Sequence, residues 1–323
     1  MNELIEQIFS IQDEESFNEC ALKVFAFQRE NVPVYNEFIT LTKRKEPKHY
    51  SEIPHLPISF FKTHQVLASK YQAQKVFKSS GTTGVQRSKH CVVDLGLYER
   101  SFLSTYQHFF GALNTQIIYA LLPNYVSQGD SSLVYMVDKL IQQTEDSLSG
   151  YYLENPADLL LAIQKGRSSR KKMILFGVSY ALLDLANLKP DLHDVIIIET
   201  GGMKGRRKEM NKEELHAKLI DGFGCKFIAS EYGMCELLSQ AYSDKNGLFE
   251  LPKWMRFSLR EIQDPFEYVA TKKTGGVNII DLANIYSCSF IETQDLGRNI
   301  NGKLQLMGRY DHSDIRGCNL LIG

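Results

Sequence analysis

The chain has 323 residues, of which 43% are hydrophobic and 23% charged, and its net charge is −1. This length allows two domains or one large α/β domain with a deep core, and the composition excludes a collagen-like or disordered chain. Because the charge is nearly balanced, there is no electrostatic reason to expect nucleic acid or an anionic membrane as the main partner.

The N-terminal residues and the cysteines favour a cytoplasmic protein. Residues 1–6 contain neither a basic segment nor an apolar run, so no signal peptide is expected, and the aliphatic stretches are too short to span a bilayer. The six cysteines form no C-x-x-C pair, which argues against a zinc site, and four or five of them should be small buried side chains. Cys318 follows Gly317 near the end of the sequence and is either a chance surface thiol or a chemical handle.

The first 110 residues are predicted to contain helices on both sides of an extended segment and a hairpin. Residues 1–45 repeat apolar side chains at helical spacing, and the two prolines within Ile53–Ile58 exclude a helix there. Two short strands, Lys75–Lys78 and His90–Val93, flank a loop rich in Gly, Ser and Thr. A helix is expected over Asp94–Phe110.

From residue 117 onward, strands and helices alternate. Such alternation predicts α/β architecture, a doubly wound, mostly parallel sheet with helices on both faces. The predicted strands are Ile117–Leu122, Lys172–Phe176, Val195–Thr200 and Lys226–Ala229, and the predicted helices are Ser131–Gln143, Tyr180–Leu188 and Asn211–Ile220.

After about residue 245, short strand candidates are separated by Gly, Asn and Asp. This change predicts an α/β core over residues 1–245 and a smaller β-rich subdomain over residues 246–323. The strand candidates are Phe257–Arg260, Tyr268–Thr271, Val277–Asp281, Ser287–Glu292 and Lys303–Met307.

The segment from Lys78 to Lys89 has the composition of an anion-binding loop. Its glycines allow a backbone to approach a ligand closely, and successive N–H groups in such a loop form a nest for anions. Five hydroxyl groups and three basic side chains favour a polyphosphate as the guest, although the segment does not match a Walker loop. An ordinary polar hairpin is the alternative interpretation.

Ser79–Gly84 resembles the phosphate loop of the adenylate-forming superfamily, the acyl-CoA synthetase-like enzymes. That loop usually reads [S/T]-S-G-T-T-G-x-P-K, and here Gln86-Arg87 stands in place of Pro-Lys, so a basic residue is retained. The resemblance implies that ATP phosphates contact Ser79, Ser80, Gly81, Thr82, Thr83 and Gly84, with Lys89 holding the leaving pyrophosphate.

Three further motifs follow in the order found in the superfamily. Ser230–Glu236 resembles Y-G-x-T-E, which implies that Tyr232 and Gly233 contact adenine and that Glu236 holds Mg²⁺; Cys235 replaces the usual Thr. Gly201-Gly202 resembles the adenine-side turn. Thr293–Asp295 resembles T-G-D, whose Asp binds ribose, and Gly308–Asp311 resembles the G-R-x-D hinge, in which Arg309 would contact ribose or phosphate. Taken singly, these motifs could equally be a core Tyr beside a capping Glu, a turn Asp and a surface Arg.

The C-terminal residues resemble one family of this superfamily, the bacterial acyl-protein synthetases (long-chain fatty acid–luciferin-component ligases). Only twelve residues follow Asp311, so we expect the superfamily's N-terminal domain without its C-terminal lid and lid lysine. The resemblance implies that Cys318 accepts the acyl group. Lys204 is a candidate replacement for the missing lysine, although a solvated lysine is the simpler interpretation.

These resemblances predict an ATP- and Mg²⁺-dependent ligase. A carboxylic acid, expected to be a fatty acid, would form an acyl-adenylate and pass to Cys318 for delivery to an acyl reductase, an acyltransferase or a carrier protein. The alternatives are a lidless acyl-CoA or acyl-carrier ligase and a non-catalytic nucleotide- or acyl-binding scaffold. Cys235 is a rival nucleophile, and His90 is the one histidine whose position next to the loop suggests a role.

Overall fold

The computed structural model describes residues 1–80, 86–123, 129–201, 210–262, 264–269 and 273–310. Their contacts divide the chain into two units. The first unit comprises Met1–Tyr71 and the chain from Lys253 onward, and the second comprises Gln72–Pro252. The boundary expected after residue 245 lies close to the crossing after Pro252, but the sequence-based division did not join residues 1–71 to the C-terminal region.

Most of the predicted helices and strands occur in the predicted order, with further short elements between them that were not predicted. Of the strand expected over Tyr268–Thr271, the described residues show only an isolated bridge between Tyr268 and Arg260. The helices are α1 (Asn2–Phe9), α2 (Glu14–Asn31), α3 (Pro33–Thr42), α4 (Phe60–Thr63), α5 (Leu95–Phe110), α6 (Ser132–Thr144), α7 (Pro156–Gly166), α8 (Ser179–Ala186) and α9 (Lys212–Phe223). The strands are β1 (Leu56–Pro57), β2 (Lys75–Lys78), β3 (Lys89–Val92), β4 (Gln116–Leu121), β5 (Gly150–Tyr151), β6 (Lys172–Val178), β7 (Val195–Thr200), β8 (Ala229–Tyr232), β9 (Ala241–Ser243), β10 (Leu248–Glu250), β11 (Met255–Arg260), β12 (Gly275–Asp281), β13 (Phe290–Ile300) and β14 (Lys303–Arg309).

The second unit is built on a mostly parallel sheet. Strands β5, β4, β6, β7 and β8 lie side by side and parallel, and β9 and β10 add antiparallel strands beyond β8. β4 lies between β5 and β6, so the chain adds β5 on one side of β4 and then β6 on its other side. Because such crossovers are right-handed, the helix that follows β4 lies on the face opposite the later helices. The prediction of a doubly wound, mostly parallel sheet is confirmed, and its switch point lies between β4 and β6.

A separate two-stranded hairpin carries the Gly/Ser/Thr loop. β2 and β3 pair antiparallel from Lys75 opposite Val92 to Lys78 opposite Lys89. Helix α5 follows directly, and the Asp94 side chain caps it by accepting a hydrogen bond from the Leu97 N–H at 3.0 Å. Both the hairpin and the helix start were predicted from the sequence, because turn residues and an N-cap are local signals.

In the first unit, helices pack on an antiparallel sheet. Strands β11, β12, β13 and β14 follow in order, and β1 pairs parallel to β13. The buried Gln28 amide of α2 donates hydrogen bonds to the carbonyl oxygens of Asn284 and Ile285 and to the Ser289 hydroxyl. These contacts join the N-terminal helices to the β-rich region, which is why residues 1–71 belong to this unit.

Two predicted strands are displaced. The strand expected over Ser287–Glu292 begins at Phe290 and runs to Ile300. The strand expected over Lys226–Ala229 begins at Ala229 and ends at Tyr232, because α9 continues to Phe223 and stops only at Gly224, whose φ is +64°. Glu231 and Tyr232 therefore stand at the end of a strand rather than in the following loop.

Two further expectations can be checked in the described residues. The cysteines at positions 20, 91, 225, 235 and 288 are all buried and form no disulfide, which confirms that most of the six are small core side chains. No helix in the described part of the chain has the length and apolar character needed to cross a bilayer.

Candidate functional site

The base of the loop between β2 and β3 is held by reciprocal hydrogen bonds. The Ser79 N–H donates to the Ser88 carbonyl at 3.0 Å, and the Ser88 N–H donates to Ser79 Oγ at 2.9 Å. A serine hydroxyl that accepts one hydrogen bond keeps its own proton to donate. Ser79 is half-buried and Ser80 is exposed. The remainder of the predicted phosphate loop, namely Gly81, Thr82, Thr83 and Gly84, lies outside the described residues.

Two of the three basic residues of this segment pair with Asp130. Arg87 lies 3.0 Å and Lys78 3.5 Å from Asp130 Oδ2, and Arg87 also donates to the Ser79 and Lys78 carbonyls. Partial burial opposes ionisation of Asp130, but the hydrogen bond and charge of Arg87 and the charge of Lys78 outweigh it and lower the pKa of this carboxyl group. Arg87 therefore braces the base of the loop, whereas Lys89 is exposed at the start of β3.

The segment that follows β8 is fixed to this hairpin. His90 in β3 is buried, and its Nδ1 lies 2.7 Å from the Cys235 carbonyl oxygen, which can only accept. The proton of this bond is therefore on Nδ1. The neighbouring Glu236 is 4% exposed. The structure thus brings β3, the strand after the loop, next to Cys235 and Glu236. The loop motif and the motif that contains these two residues lie about 150 residues apart in the sequence.

Tyr232 and Gly233 precede this contact. The Tyr232 ring packs edge-on against Phe249, with centroids 5.9 Å apart. A Cβ on Gly233 would lie 2.3 Å from Glu231 Oε1, so a side chain at this position would displace the Glu231 carboxyl group. Glycine is therefore required here by the packing of its neighbour.

Cys235 is poorly suited to be a nucleophile. Burial, with the charge of Glu236, raises the pKa of its thiol well above the usual value. Since the thiolate is the reactive form, this environment disfavours attack by Cys235.

A buried polar cluster lies at the carboxyl ends of β6, β7 and β8, where α/β sheets usually bind ligands. Glu199 at the end of β7 accepts hydrogen bonds from Ser179 Oγ at 2.5 Å, Lys212 Nζ at 2.6 Å and Ser230 Oγ at 3.0 Å. His216 Nε2 also lies 3.0 Å from the Ser230 hydroxyl. Burial alone would raise the pKa of Glu199, but the Lys212 charge and hydrogen bonds from His216, Lys212 and Ser179 lower it to about 2.

Glu231 lies in β8, the strand next to β7, and its pKa is shifted in the opposite direction from that of Glu199. Thr200 Oγ1 donates to Glu231 Oε2 at 2.5 Å. Burial raises the pKa of Glu231 to about 7, despite this hydrogen bond and the Lys212 charge. The sequence analysis missed both carboxylates, although a Glu that ends the apolar run Val195–Ile198 was a signal for Glu199.

Glu231→Gln is expected to stabilise the protein at high pH. The folded state keeps a proton on Glu231 that the unfolded state releases at its ordinary pKa of 4.5, so the free energy of unfolding falls as the pH rises from 4.5 to about 7. Because glutamine does not ionise, the free energy of unfolding of the variant does not fall in this way. Urea denaturation should show it about 3 kcal/mol more stable than the wild type near pH 8 and similar near pH 4.5.

Glu199→Gln is the matched variant with the opposite sign. The lowered pKa of Glu199 stabilises the folded state above pH 4.5, and this stability is lost as the pH falls toward 2. The variant should therefore be less stable than the wild type at neutral pH, with a deficit that shrinks in acid. Differences from the wild type that do not depend on pH in either variant would refute these assignments.

In the first unit, Asp295 and Arg309 face each other across β13 and β14. They are paired in register, and Arg309 Nε lies 3.1 Å from Asp295 Oδ1. The Asp295 side chain is 9% exposed and the Arg309 side chain 67%. Gly308, with a φ of +123°, lies at an irregularity of this pairing, a conformation that glycine adopts at no steric cost. The structure therefore brings the T-Q-D and G-R-Y-D motifs together.

The other predicted site residues are placed less completely. Gly201 follows β7 directly and has a φ of +71°, and its carbonyl oxygen accepts a hydrogen bond from Ser179 Oγ at 3.2 Å. Gly202, Lys204 and Cys318 lie outside the described residues. No group of three or more His, Cys, Asp or Glu side chains within the described ranges could hold a metal ion.

Solved structures share the fold of this chain at low sequence identity. A 2-hydroxyisobutyryl-CoA ligase in complex with 2-HIB-AMP and CoA has a TM-score of 0.66 and 11% identity, over 93% of this chain and 68% of the ligase. An ATP-bound RpMatB-BxBclM chimera gives 0.56 and 15%, over 72% of this chain and 47% of the chimera. O-succinylbenzoate coenzyme A synthetase from Bacillus subtilis, in complex with ATP and magnesium, gives 0.51 and 16%, over 72% and 49%.

The chain thus spans about half the length of the chimera and of the Bacillus subtilis enzyme. No protein-family model matches the sequence, and neither does any curated protein. At these identities the likeness shows that the chain shares its fold with these solved structures.

Proposed function

We propose that this protein uses ATP to convert a carboxylic acid into an acyl-adenylate and then transfers the acyl group to a thiol. The observation that carries the proposal is the contact between His90 and Cys235, which holds the hydroxyl-rich hairpin beside the buried Glu236. It occurs in a fold shared with structures that contain ATP or an acyl-adenylate.

On the phosphate side, the backbone amides and hydroxyls of Ser79–Gly84 bind the anionic chain of ATP, with the exposed Lys89 ammonium adding positive charge. The Glu236 carboxylate is the ligand available for Mg²⁺, which would neutralise phosphate charge when bound. On the adenosine side, Gly201, Gly202, Tyr232 and Gly233 are assigned to adenine. Asp295, held by the Arg309 guanidinium, is assigned to the ribose hydroxyls.

The reaction has two balanced steps. A carboxylate oxygen of the acid attacks the α-phosphorus of ATP, the bond to the β-phosphate bridging oxygen breaks, and pyrophosphate leaves. A thiolate then attacks the carbonyl carbon of the acyl-adenylate, and AMP leaves. The protein supplies positioning and positive charge, which phosphoryl transfer needs more than covalent help.

The acceptor is proposed to be Cys318, by resemblance to acyl-protein synthetases, with a fatty acid as the substrate and an acyl reductase, an acyltransferase or a carrier protein receiving the product. Lys204 is the candidate for contacting the carboxylate or the α-phosphate. A separate thiol is the second candidate acceptor, because the 2-hydroxyisobutyryl-CoA ligase of the same fold was solved with CoA.

The first experiment is exchange of labelled pyrophosphate into ATP over a panel of carboxylic acids of different chain lengths, alkyl and aryl. The proposal expects exchange that requires both Mg²⁺ and one class of acid. ATP binding without exchange for any acid would favour a non-catalytic scaffold instead.

Cys318→Ser separates the two acceptors. After incubation with ATP, Mg²⁺ and the acid identified by exchange, the wild type is expected to gain one acyl mass that survives denaturation, and the variant none, because an ester to Ser forms far more slowly without a thiolate. Cys225→Ser, which alters a buried thiol, is the control and should retain the mass. Acylation of the Cys318→Ser variant would exclude Cys318, and exchange without any acylated protein would favour a separate thiol such as CoA.

A further inference from the structure

Arg260 is a buried arginine that the proposed reaction does not use directly. Its side chain is 1% exposed, at the end of β11. A guanidinium is costly to remove from water unless hydrogen bonds and an opposite charge compensate it. Its contacts therefore identify what it holds in place.

The guanidinium of Arg260 contacts three other segments of the first unit. Nη1 donates to the Val277 carbonyl at 3.0 Å and to Asn278 Oδ1 at 2.9 Å, both in β12. Nη2 donates to the Thr293 carbonyl at 2.7 Å and to the Tyr310 hydroxyl at 2.5 Å, and lies 3.3 Å from a Glu292 carboxylate oxygen. One side chain thus ties β11 to β12, to β13 and to the residue after β14.

Two of these contacts lie beside the proposed ribose-binding pair. Thr293 precedes Asp295 by two residues, and the Asp295 N–H donates to Thr293 Oγ1 at 3.1 Å. The Thr293 hydroxyl donates in turn to the Val277 carbonyl at 2.7 Å, an oxygen that Arg260 also contacts.

A second set of contacts joins Arg260 to the end of β14 through Tyr310. Tyr310 follows Arg309 directly, and its N–H donates to the Gln294 carbonyl at 3.0 Å. Arg309 pairs with Asp295, and Arg260 holds both Thr293 and Tyr310.

The backbone of β12 is shaped around this guanidinium. A Cβ on Gly276 would lie 2.7 Å from Arg260 Cζ and 2.8 Å from Nη1. Because no other atom lies closer to that position, glycine at 276 is what leaves room for the planar head of Arg260.

We propose that Arg260 is a positioning residue that sets the Asp295–Arg309 pair for recognition of the ribose hydroxyls of the nucleotide. The inference rests on one part of the proposed function, the assignment of Asp295 to the ribose hydroxyls. Arg260 acts through these neighbours, since it is 1% exposed and both of its Nη groups donate within the protein.

The test is equilibrium binding of ATP and of 2′,3′-dideoxy-ATP, measured by calorimetry. The wild type is expected to bind ATP about 100-fold more tightly, because a buried carboxylate loses its hydrogen bonds when both hydroxyls are removed. Arg260→Met should reduce this preference to less than about 10-fold, and Arg260→Lys should recover part of it. Gly276→Ala should act in the same direction by displacing the guanidinium, which covers the case in which Arg260→Met does not fold.

Arg256→Met is the matched control. Arg256 lies on the same strand, but its guanidinium stacks over the Phe17 ring at 4.2 Å and pairs with Glu14 at 3.4 Å. Removal of the Arg256 guanidinium should leave the preference for ATP over 2′,3′-dideoxy-ATP unchanged. A purely structural effect of a substitution would lower the affinity for both nucleotides equally. An unchanged preference in Arg260→Met or Gly276→Ala would overturn the inference. If the wild type binds ATP in preference to 2′,3′-dideoxy-ATP but shows no pyrophosphate exchange, the proposed reaction is overturned and this inference is not. If the wild type binds both nucleotides equally well, this inference is overturned.

Discussion

Glu236→Gln is expected to lower the rate of carboxylate-dependent pyrophosphate exchange by about 100-fold, equivalent to about 2.7 kcal/mol. Glutamine keeps the shape of this buried side chain but removes the negative charge that a hard divalent cation requires. The loss should be accompanied by a higher Mg²⁺ concentration for half-maximal exchange. Initial rates at several Mg²⁺ concentrations, with saturating ATP and acid, measure both effects.

Glu213→Gln is the control for this variant, because Glu213 is an exposed carboxylate in the first turn of α9 in the same unit. It should exchange pyrophosphate at the wild-type rate. If the Glu236→Gln variant keeps its fold and exchanges within about threefold of the wild type at low Mg²⁺, Glu236 is not the metal ligand.

His90→Phe is expected to reduce kcat/KM for ATP by about 10- to 100-fold. The ring volume is nearly retained, but the Cys235 carbonyl loses the donor that joins β3 to the segment containing Glu236. A lost hydrogen bond to a buried carbonyl costs about 1–3 kcal/mol, which is the range given by that fold-change. His90→Asn offers an amide N–H at a comparable position and should recover most of the loss.

His108→Phe serves as the comparison, since His108 is an exposed residue of α5 in the same unit. Steady-state exchange kinetics in ATP, together with thermal unfolding, distinguish misplacement of the hairpin from loss of the fold. A His90→Asn variant as impaired as His90→Phe would show that the Nδ1 hydrogen bond is not what matters.

Local patterns account for the part of the fold that was predictable. The two strands around the hydroxyl-rich loop, the N-cap at Asp94 and the apolar run before Thr200 are each written in fewer than twenty consecutive residues. Boundaries set by longer-range packing were less accurate. The strand that ends at Tyr232 was displaced, because α9 extends beyond Ile220 through Gly222, where a Cβ would lie 2.6 Å from the Ala186 Cβ of α8.

The candidate site shows the same division. The motif residues Asp295 and Arg309 were identified in the sequence, but their pairing was not, because it depends on the register of β13 against β14. Arg87 was identified in the sequence as a basic residue of the loop, but its ion pair with Asp130, about forty residues later, was not predicted.

The amino-acid sequence alone determined the alternating α/β architecture, the loop that begins at Ser79 and the order of the motifs that resemble nucleotide-binding segments, because hydrophobic period, turn residues and short motifs are local properties of a chain. Only the tertiary structure decided which buried charges meet. Glu199 with Lys212, and Arg260 with Glu292 and Tyr310, are brought together by strand order and register. Charges buried in this way acquire their ionisation state and their role from neighbours distant in sequence, and no local pattern encodes those neighbours.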